Sequence, residues 1–250
     1  MAKRLTTNGL EPYRAALDVG NGEASGISNE TREPIGFEPI IAPISKKRAL
    51  EKSQERPNYS LSKDNEMLVF GIDDVFEHGH RESARRQSGM DRYTESDYFN
   101  LIDVLLLNLF AAQRGKPDRI SPTLAINLPV EHFNNAVTVE EIRDTLSGSR
   151  DISDYDGCTL RMNINSSKLV VMPESTGALM HWAFDQNTLE KRNSTGGSTL
   201  VIDIGYETTD TSLFEGMRYQ RDRAFTIRRA GMGNIVRSVQ GYALNTLRDV

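Results

Sequence analysis

The sequence predicts an α/β protein whose strands end in turns suited to ligand binding. An apolar run over residues 200–204 ends at Asp203 and Gly205 and continues into a threonine-rich turn. A shorter version of this pattern, AALDVGNG, occupies residues 15–22. Apolar residues recur at helical spacing over residues 96–114, so we expect a long core helix beside the strands.

Composition limits the classes of partner. The chain has 250 residues and a net charge of -5, enough for one large domain or two smaller ones. This acidic balance argues against direct binding of nucleic acid. The longest apolar stretch, residues 101–110, is far shorter than the roughly 20 residues of a membrane-spanning helix. We therefore expect no membrane association.

The single cysteine excludes an intramolecular disulfide framework and a cysteine-rich metal site. We expect Cys158 to be a small buried residue in a strand of a cytoplasmic protein. Residues 1–12 are polar, with no apolar signal segment, and are expected to form a disordered leader.

The first turn follows a short strand predicted over residues 15–19. Gly20 and Gly22 permit positive φ angles and close approach of a ligand to the backbone, and Asp18 can hold a metal ion through water. An ordinary hairpin turn explains the same D-x-G-x-G pattern equally well.

The next segment is predicted to be an exposed excursion from the core. Residues 35–44 carry prolines typical of an edge strand or extended link, and residues 46–62 are polar and charged. A strand is expected over residues 67–72. His78 and His80 have no third ligand nearby, so the basic segment that contains Arg81 to Arg86 is expected to be a solvated contact surface of undefined role.

Further elements follow local signals. Ser96 is the expected cap of the core helix, and a capping box at residues 138–141 opens a helix that ends near Leu146. Residues 148–156 are expected to form a turn-rich loop. The other predicted strands cover residues 123–128, 159–164, 168–172, 200–204, 211–214 and 218–227.

A carboxylate stands at one strand-to-helix junction. Glu174 follows the strand at residues 168–172, and a helix is expected from Ser175 to about residue 185. Ligands gather at the carboxyl ends of strands in open α/β sheets, so Glu174 is placed for a general base. A glutamate that complements the helix dipole fits the residues equally well.

The C-terminal part begins after a candidate hinge. Residues 187–198 are polar and carry adjacent glycines, which indicates a domain boundary. After the second turn, the sequence GMGN at residues 231–234 leads into a helix predicted over residues 235–247.

Together, these pieces resemble the actin-like ATPases, and most closely the bacterial plasmid-segregation proteins of the ParM type. The resemblance rests on the D-x-G turn, the P-E-x-x-G-A junction at residues 173–178, the D-x-G-x-x-T-T-D turn and the G-x-G-N helix start. The AINLPV phrase at residues 125–130, and Phe70-Gly71 followed by the YFNL helix at residue 98, are also similar. The resemblance to this family extends over about residues 15–247.

The resemblance implies an actin-like (ribonuclease-H-like) two-domain ATPase fold, with the second domain incomplete in this chain. Domain I would cover residues 13–186, with an exposed excursion over about residues 44–90. Residues 198–250 would form the first part of domain II.

The resemblance also implies a site for ATP (or GTP) with Mg²⁺ between the two turns. Glu174 would orient or deprotonate the attacking water, assisted by Asp210, while Asp18 and Asp203 would hold the metal ion. The residues implied to bind the nucleotide are Gly20, Asn21, Gly22, Gly205, Tyr206, Thr208, Thr209, Gly231 and Gly233.

The implied function is ATP-dependent assembly of copies of this chain into a filament that moves plasmid DNA through a DNA-binding adaptor protein. A small-metabolite (sugar-type) kinase of the same superfold and a non-hydrolysing filament-capping relative are the alternatives. Two departures bear on the choice. The lysine that often follows the first turn in this family is missing, since residues 23–26 read EASG, and the glycine-rich adenosine motif is absent.

Overall fold

The computed structural model describes residues 13–44, 57–63, 66–87, 92–93, 95–185, 188, 190–193 and 196–248, with side chains up to residue 240. The leader, the first part of the excursion (residues 45–56) and parts of the hinge lie outside the described residues. The strands are β1 (Arg14–Val19), β2 (Ala24–Ser28), β3 (Ile35–Phe37), β4 (Ile40–Ile44), β5 (Ser60–Lys63), β6 (Glu66–Phe70), β7 (Arg85–Arg86), β8 (Thr123–Leu128), β9 (Gly148–Ser153), β10 (Thr159–Ile164), β11 (Leu169–Pro173), β12 (Ser198–Ile204), β13 (Thr208–Glu215), β14 (Arg218–Tyr219) and β15 (Phe225–Arg228). The α-helices are α1 (Ile72–Glu77), α2 (Ser96–Leu109), α3 (Val130–Asn134), α4 (Ala136–Leu146), α5 (Ser175–Ala183) and α6 (Met232–Arg248).

The first sheet has the strand order β11-β8-β1-β2-β3. Its strands β11, β8 and β1 run parallel, and β2 and β3 are antiparallel additions. Because parallel strands end at the same edge, the end of β1 and the end of β11 lie on one side of the sheet. This topology brings Asp18 and Glu174 toward each other.

The second sheet, of order β10-β9-β5-β6-β4-β7, contains most of the described excursion. Part of the segment expected to be exposed is therefore core: Leu61 in β5 is only 2% exposed. The prediction of a loop over residues 148–156 is also wrong, because β9 covers residues 148–153 and pairs along its length with β10. The turn is confined to the residues after β9, where the Asp154 carboxylate accepts hydrogen bonds from the amides of Asp156 and Cys158.

Helix α2 lies between these two sheets and is buried on almost every face, more than its single apolar stripe suggests. Two of its buried polar side chains are paired with basic residues of the second sheet, which offsets the cost of burying them. Asp103 binds Arg150 at 2.9 Å, and Asn100 accepts a hydrogen bond from Lys63 at 2.9 Å. These pairs join the helix to the second sheet.

The third sheet is built from β12, β13, β14 and β15, with β13 central. Alternate residues of β13 that include Thr208, Asp210 and Ser212 are buried against the rest of the chain. The opposite face carries large apolar side chains, and no described element covers it. Those more than 40% exposed on its strands are Leu200, Ile202, Ile204, Phe225 and Ile227.

Three local expectations are corrected. Helix α2 is capped by Glu95, with no side-chain hydrogen bond, rather than by Ser96. Helix α4 begins earlier than the expected capping box, because the Asn135 side chain accepts a hydrogen bond from the Val137 amide. Cys158 is exposed and precedes β10, so it is not a buried strand residue.

Candidate functional site

The two predicted turns have the same construction. In the first, the Gly20 amide donates to the Glu23 carbonyl at 2.8 Å and joins β1 to β2. In the second, the Gly205 amide donates to the Thr208 carbonyl at 2.9 Å and joins β12 to β13. Each turn thus closes an antiparallel hairpin two residues after an aspartate.

The glycines of these turns do not use the conformation expected from the sequence. Neither Gly20 nor Gly22 has a positive φ, and neither does Gly205. Close packing explains Gly22 better, because a methyl group there would lie 3.3 Å from Cβ of Tyr206. The two turns therefore face each other at van der Waals distance.

The strand register decides what lies beside each aspartate. Asp18 is paired with Ser25 in the first hairpin, whereas Asp203 is paired with Asp210 in the second. Side chains at paired positions share one face of a sheet and lie close together. The second hairpin consequently presents two carboxyl groups toward the first, and the first presents one.

Glu174 completes a group of four acidic side chains. It directly follows β11, and its amide donates to the Leu128 carbonyl of β8 at 2.9 Å. The next residue, Ser175, is fully buried and donates from Oγ to Oγ of Ser212 in β13 at 2.7 Å. This hydrogen bond ties the start of α5 to the second hairpin and fixes Glu174 beside it.

Burial raises the pKa of all four carboxyl groups, and neighbouring carboxylates add to this effect for Asp18, Glu174 and Asp210. Desolvation, and after it the nearby Asp203 carboxyl, raise the pKa of Asp18 to about 6. Desolvation likewise raises the pKa of Glu174 well above its usual range, with added contributions from Asp18 and Asp210. Asp203 shows a raised pKa from desolvation alone. Such a cluster favours the binding of a cation.

Asp210 is held by the elements around it. It is only 1% exposed, accepts a hydrogen bond from the Thr226 hydroxyl, and also bonds the backbone of Val130. Desolvation raises the pKa of Asp210, whereas these two hydrogen bonds lower it. The Glu131 amide donates to Thr226 Oγ1 at 3.1 Å, which connects Asp210 to α3.

The donor set fits Mg²⁺ bound through water. Among residues 13–248, as far as they are described, no three His, Cys, Asp or Glu side chains converge to ligate a metal directly. Mg²⁺ keeps several of its waters and is commonly held by one or two carboxylates plus phosphate oxygens. Asp18 and Asp203 face each other across the turns and are suited to that arrangement.

The other residues predicted to bind the nucleotide differ in how close they lie to the carboxyl groups. Asn21 and Thr208 are buried at the turns. Thr209 lies on the opposite face of β13 from Asp210, and its hydroxyl donates to the Ala230 carbonyl at 2.8 Å, away from the carboxyl groups. Tyr206 lies at the centre of the second turn and contacts the first.

Gly231 and Gly233 are needed for packing against Tyr206. A methyl group on Gly231 would lie 2.4 Å from the Tyr206 carbonyl oxygen, and one on Gly233 would lie 2.8 Å from the Tyr206 ring. The Gly233 amide donates to the Tyr206 carbonyl at 2.7 Å, and the Met232 amide to the Gly205 carbonyl at 2.9 Å. These two amides are therefore occupied by the turn itself.

Sequence reasoning assigned no role at the site to two arginines. Arg92 is 2% exposed, and its Nη2 donates to the Val19 carbonyl beneath the first turn at 2.9 Å. Its charge lowers the pKa of both Asp18 and Glu174. Arg86 reaches the same turn from the excursion, and its Nη1 donates to the Asn21 carbonyl at 3.2 Å. The only feature of the sequence that could have indicated these two arginines is the basic composition of residues 78–92.

A cavity of about 370 Å³ opens beside the first turn, between β3, β6 and α1. Four carboxyl groups contribute to its walls, from Glu23, Glu38, Asp73 and Asp74. None of the described residues that line it is basic, and its four carboxyl groups make this cavity unsuited to phosphate.

The sequence comparison gives the family. The sequence model described as the N-terminal domain of actin-like proteins matches residues 16–177. The chain belongs to the actin-like proteins. No curated protein sequence matches it. Among the described residues, no helix has the length and apolar character needed to cross a membrane.

Solved structures of actin-like proteins share its fold. An apo ParM protein of psk41 is 19% identical with a TM-score of 0.66, over 87% of this chain and 66% of that chain. An archaeal actin homolog is 20% identical with a TM-score of 0.69, over 90% and 64% of the two chains. A ParM filament protein from Clostridium botulinum is 18% identical with a TM-score of 0.71, over 96% of this chain and 70% of that chain. The chain thus spans about two thirds of the length of these actin-like proteins.

Proposed function

We propose that this actin-like chain binds ATP or GTP with Mg²⁺ between its two hairpin turns and hydrolyses the terminal phosphate. The observation that carries the proposal is the meeting of two identically built Asp-x-Gly hairpins, with the carboxyl groups of Asp18, Asp203, Asp210 and Glu174 gathered where they meet. We assign residues 13–186 to domain I and residues 198–250 to the first part of domain II, so the nucleotide lies between domains.

The side chains divide the chemistry. The amides of the turns other than those of Gly20 and Gly205, which close the turns themselves, would bind phosphate oxygens together with the Thr208 hydroxyl. Asp18 and Asp203 would hold Mg²⁺ through water, and the metal ion would supply charge neutralisation of the phosphates. Glu174, fixed by the Ser175–Ser212 hydrogen bond, would orient the attacking water and accept its proton, assisted by Asp210.

We further propose that the nucleotide controls assembly of the chain into a filament with other copies of itself, which moves plasmid DNA through a DNA-binding adaptor protein in the cytoplasm. Support comes from the shared fold with the ParM filament of Clostridium botulinum. Right-angle light scattering of the full chain tests this proposal. The signal should rise on addition of Mg-ATP or Mg-GTP, and no rise under any nucleotide condition contradicts assembly.

Hydrolysis is tested separately with Glu174→Gln, which keeps the side-chain shape and removes the base. Loss of a general base slows proton transfer by about 10²–10⁴-fold, so phosphate release should fall by at least about 100-fold. Nucleotide affinity should stay within about threefold of the wild type. Unchanged phosphate release would show that Glu174 only begins the helix.

A further inference from the structure

Strand β7 directs two neighbouring arginines to opposite sides. It pairs with β4, with Arg86 opposite Ile40 and Arg85 opposite Ile41. Successive side chains of a strand point to opposite faces. Arg85 accordingly pairs with Asp97 on α2, with Nη2 and Oδ1 2.9 Å apart, whereas Arg86 points to the first turn.

Arg86 contacts both halves of the proposed nucleotide site. Its Nη1 donates to the Asn21 carbonyl at 3.2 Å, and its Cζ lies 5.6 Å from the centre of the Tyr206 ring in the second turn. A guanidinium over an aromatic face is held there by a modest attraction. Arg86 therefore bridges the two turns from the outside.

The guanidinium of Arg86 keeps donors available for a ligand. Arginine has five N–H donors, and within the described part of the chain Arg86 forms no ion pair. More than a third of its surface is accessible to solvent. A planar cation with free donors matches phosphate oxygens in geometry as well as in charge.

The chain lacks a basic residue directly after the first turn, where residues 23–26 are Glu, Ala, Ser and Gly. Arg92 is the other cation near this turn, but its Nε and Nη1 are buried and without a partner in the described residues, with no surface open to a ligand. Arg92 can act on Asp18 and Glu174 from within the protein. Only Arg86, of these two, can meet a bound phosphate.

We propose that Arg86, carried by the excursion, is the residue that binds the phosphate chain of the nucleotide at the first turn. The inference rests on the proposed function, because it requires a nucleotide between the hairpins. It assigns a ligand-binding role to the edge strand of the second sheet, outside both hairpins. Nucleotide binding would then also fix the excursion against the second turn.

The experiment is a titration of the full chain with a fluorescent ATP analogue in the presence of Mg²⁺, for the wild type, Arg86→Ala, Arg86→Lys and Arg85→Ala. Loss of a charge-assisted hydrogen bond corresponds to roughly tenfold to hundredfold weaker binding, which is the result expected for Arg86→Ala. Arg86→Lys keeps the charge and should bind more tightly than Arg86→Ala.

Arg85→Ala is the matched control, since it removes the same charge one residue away. It leaves the Asp97 carboxylate without its partner, so it should lower the urea midpoint of unfolding more than Arg86→Ala does. Its affinity for the analogue should equal that of the wild type within about threefold.

The two proposals fail in different ways. If the wild type binds the analogue and Arg86→Ala binds it equally well, Arg86 is not a phosphate ligand and the proposed function stands. If Arg85→Ala weakens binding as much as Arg86→Ala, general loss of charge explains both and the inference is overturned. Absence of binding by the wild type overturns the proposed function, and the role of Arg86 with it.

Discussion

The two hairpins of the candidate site have the same turn but very different support. Strand β1 has neighbours on both sides, and Leu17 is only 1% exposed beneath α2. Strand β12 lies at the edge of its sheet, and Ile202 is 58% exposed. The hydrogen bond that closes each turn is nevertheless almost the same length, 2.8 and 2.9 Å. The chemistry of the turn is therefore local, while its rigidity depends on the packing behind it.

The difference in packing behind the two turns is tested first by truncating one apolar side chain behind each of them. Leu17→Ala leaves a cavity in the core and should lower the free energy of unfolding by about 2–5 kcal/mol. Ile202→Ala removes a side chain that is already exposed and should cost roughly 0.5 kcal/mol or less. Urea unfolding followed by circular dichroism measures both. Equal losses would show that the outer face of the third sheet is as well packed as the first.

The glycines around the second turn give the next largest contrast. Gly231→Ala places a methyl group 2.4 Å from the Tyr206 carbonyl oxygen, and this overpacking should cost about 1–3 kcal/mol. Gly22→Ala meets only a side-chain carbon at 3.3 Å and should cost under about 1 kcal/mol. Gly197→Ala, with no atom of the described residues within 4 Å of the added methyl group, is the control for the change of residue type. A harmless Gly231→Ala would contradict the packing of α6 against Tyr206.

The pH dependence of stability tests the carboxyl cluster and should give the smallest effect. The folded chain raises the pKa of Asp18 from 3.8 to about 6, so it binds that proton more tightly than the unfolded chain does. This contribution to stability is complete below pH 4 and is lost as the pH rises through about 6. In EDTA, the wild type should therefore lose more stability than Asp18→Asn between pH 4 and pH 7.

Magnesium should reverse that trend, because it binds the ionised carboxylates and competes with the proton. Stabilisation by Mg²⁺ is expected to be larger at pH 7 than at pH 5 in the wild type and smaller in Asp18→Asn. Equal stabilisation of both proteins by Mg²⁺ at pH 7 would show that Asp18 is not near the metal.

Sequence reasoning succeeded where the signal is local. The strand, aspartate and glycine of each hairpin are contiguous, and Glu174 directly follows its strand, so these residues could be placed before the structure. It failed where the signal is weak or has a local competitor. Strand β9 is polar and has only Ile152 fully buried, and the Asn135 cap begins α4 before the capping box at Thr138.

The arginines at the site could not be placed from the sequence for a different reason. Arg86 lies 65 residues from Asn21, and Arg92 lies 73 residues from Val19. Nothing in their local spacing indicates that the excursion returns to the first turn. That contact depends on the pairing of β7 with β4 and therefore on the whole second sheet.

The central claim is that both hairpins bind one nucleotide, and it is tested most directly by calorimetric titration of Mg-ATP into the full chain, with Asp18→Asn and Asp203→Asn alongside. Each substitution removes a carboxylate from a different hairpin, so each should weaken binding by about tenfold or more. The wild type should bind one nucleotide per chain. Wild-type affinity in Asp203→Asn, with binding lost in Asp18→Asn, would contradict the claim, because the second hairpin would then have no part in the site.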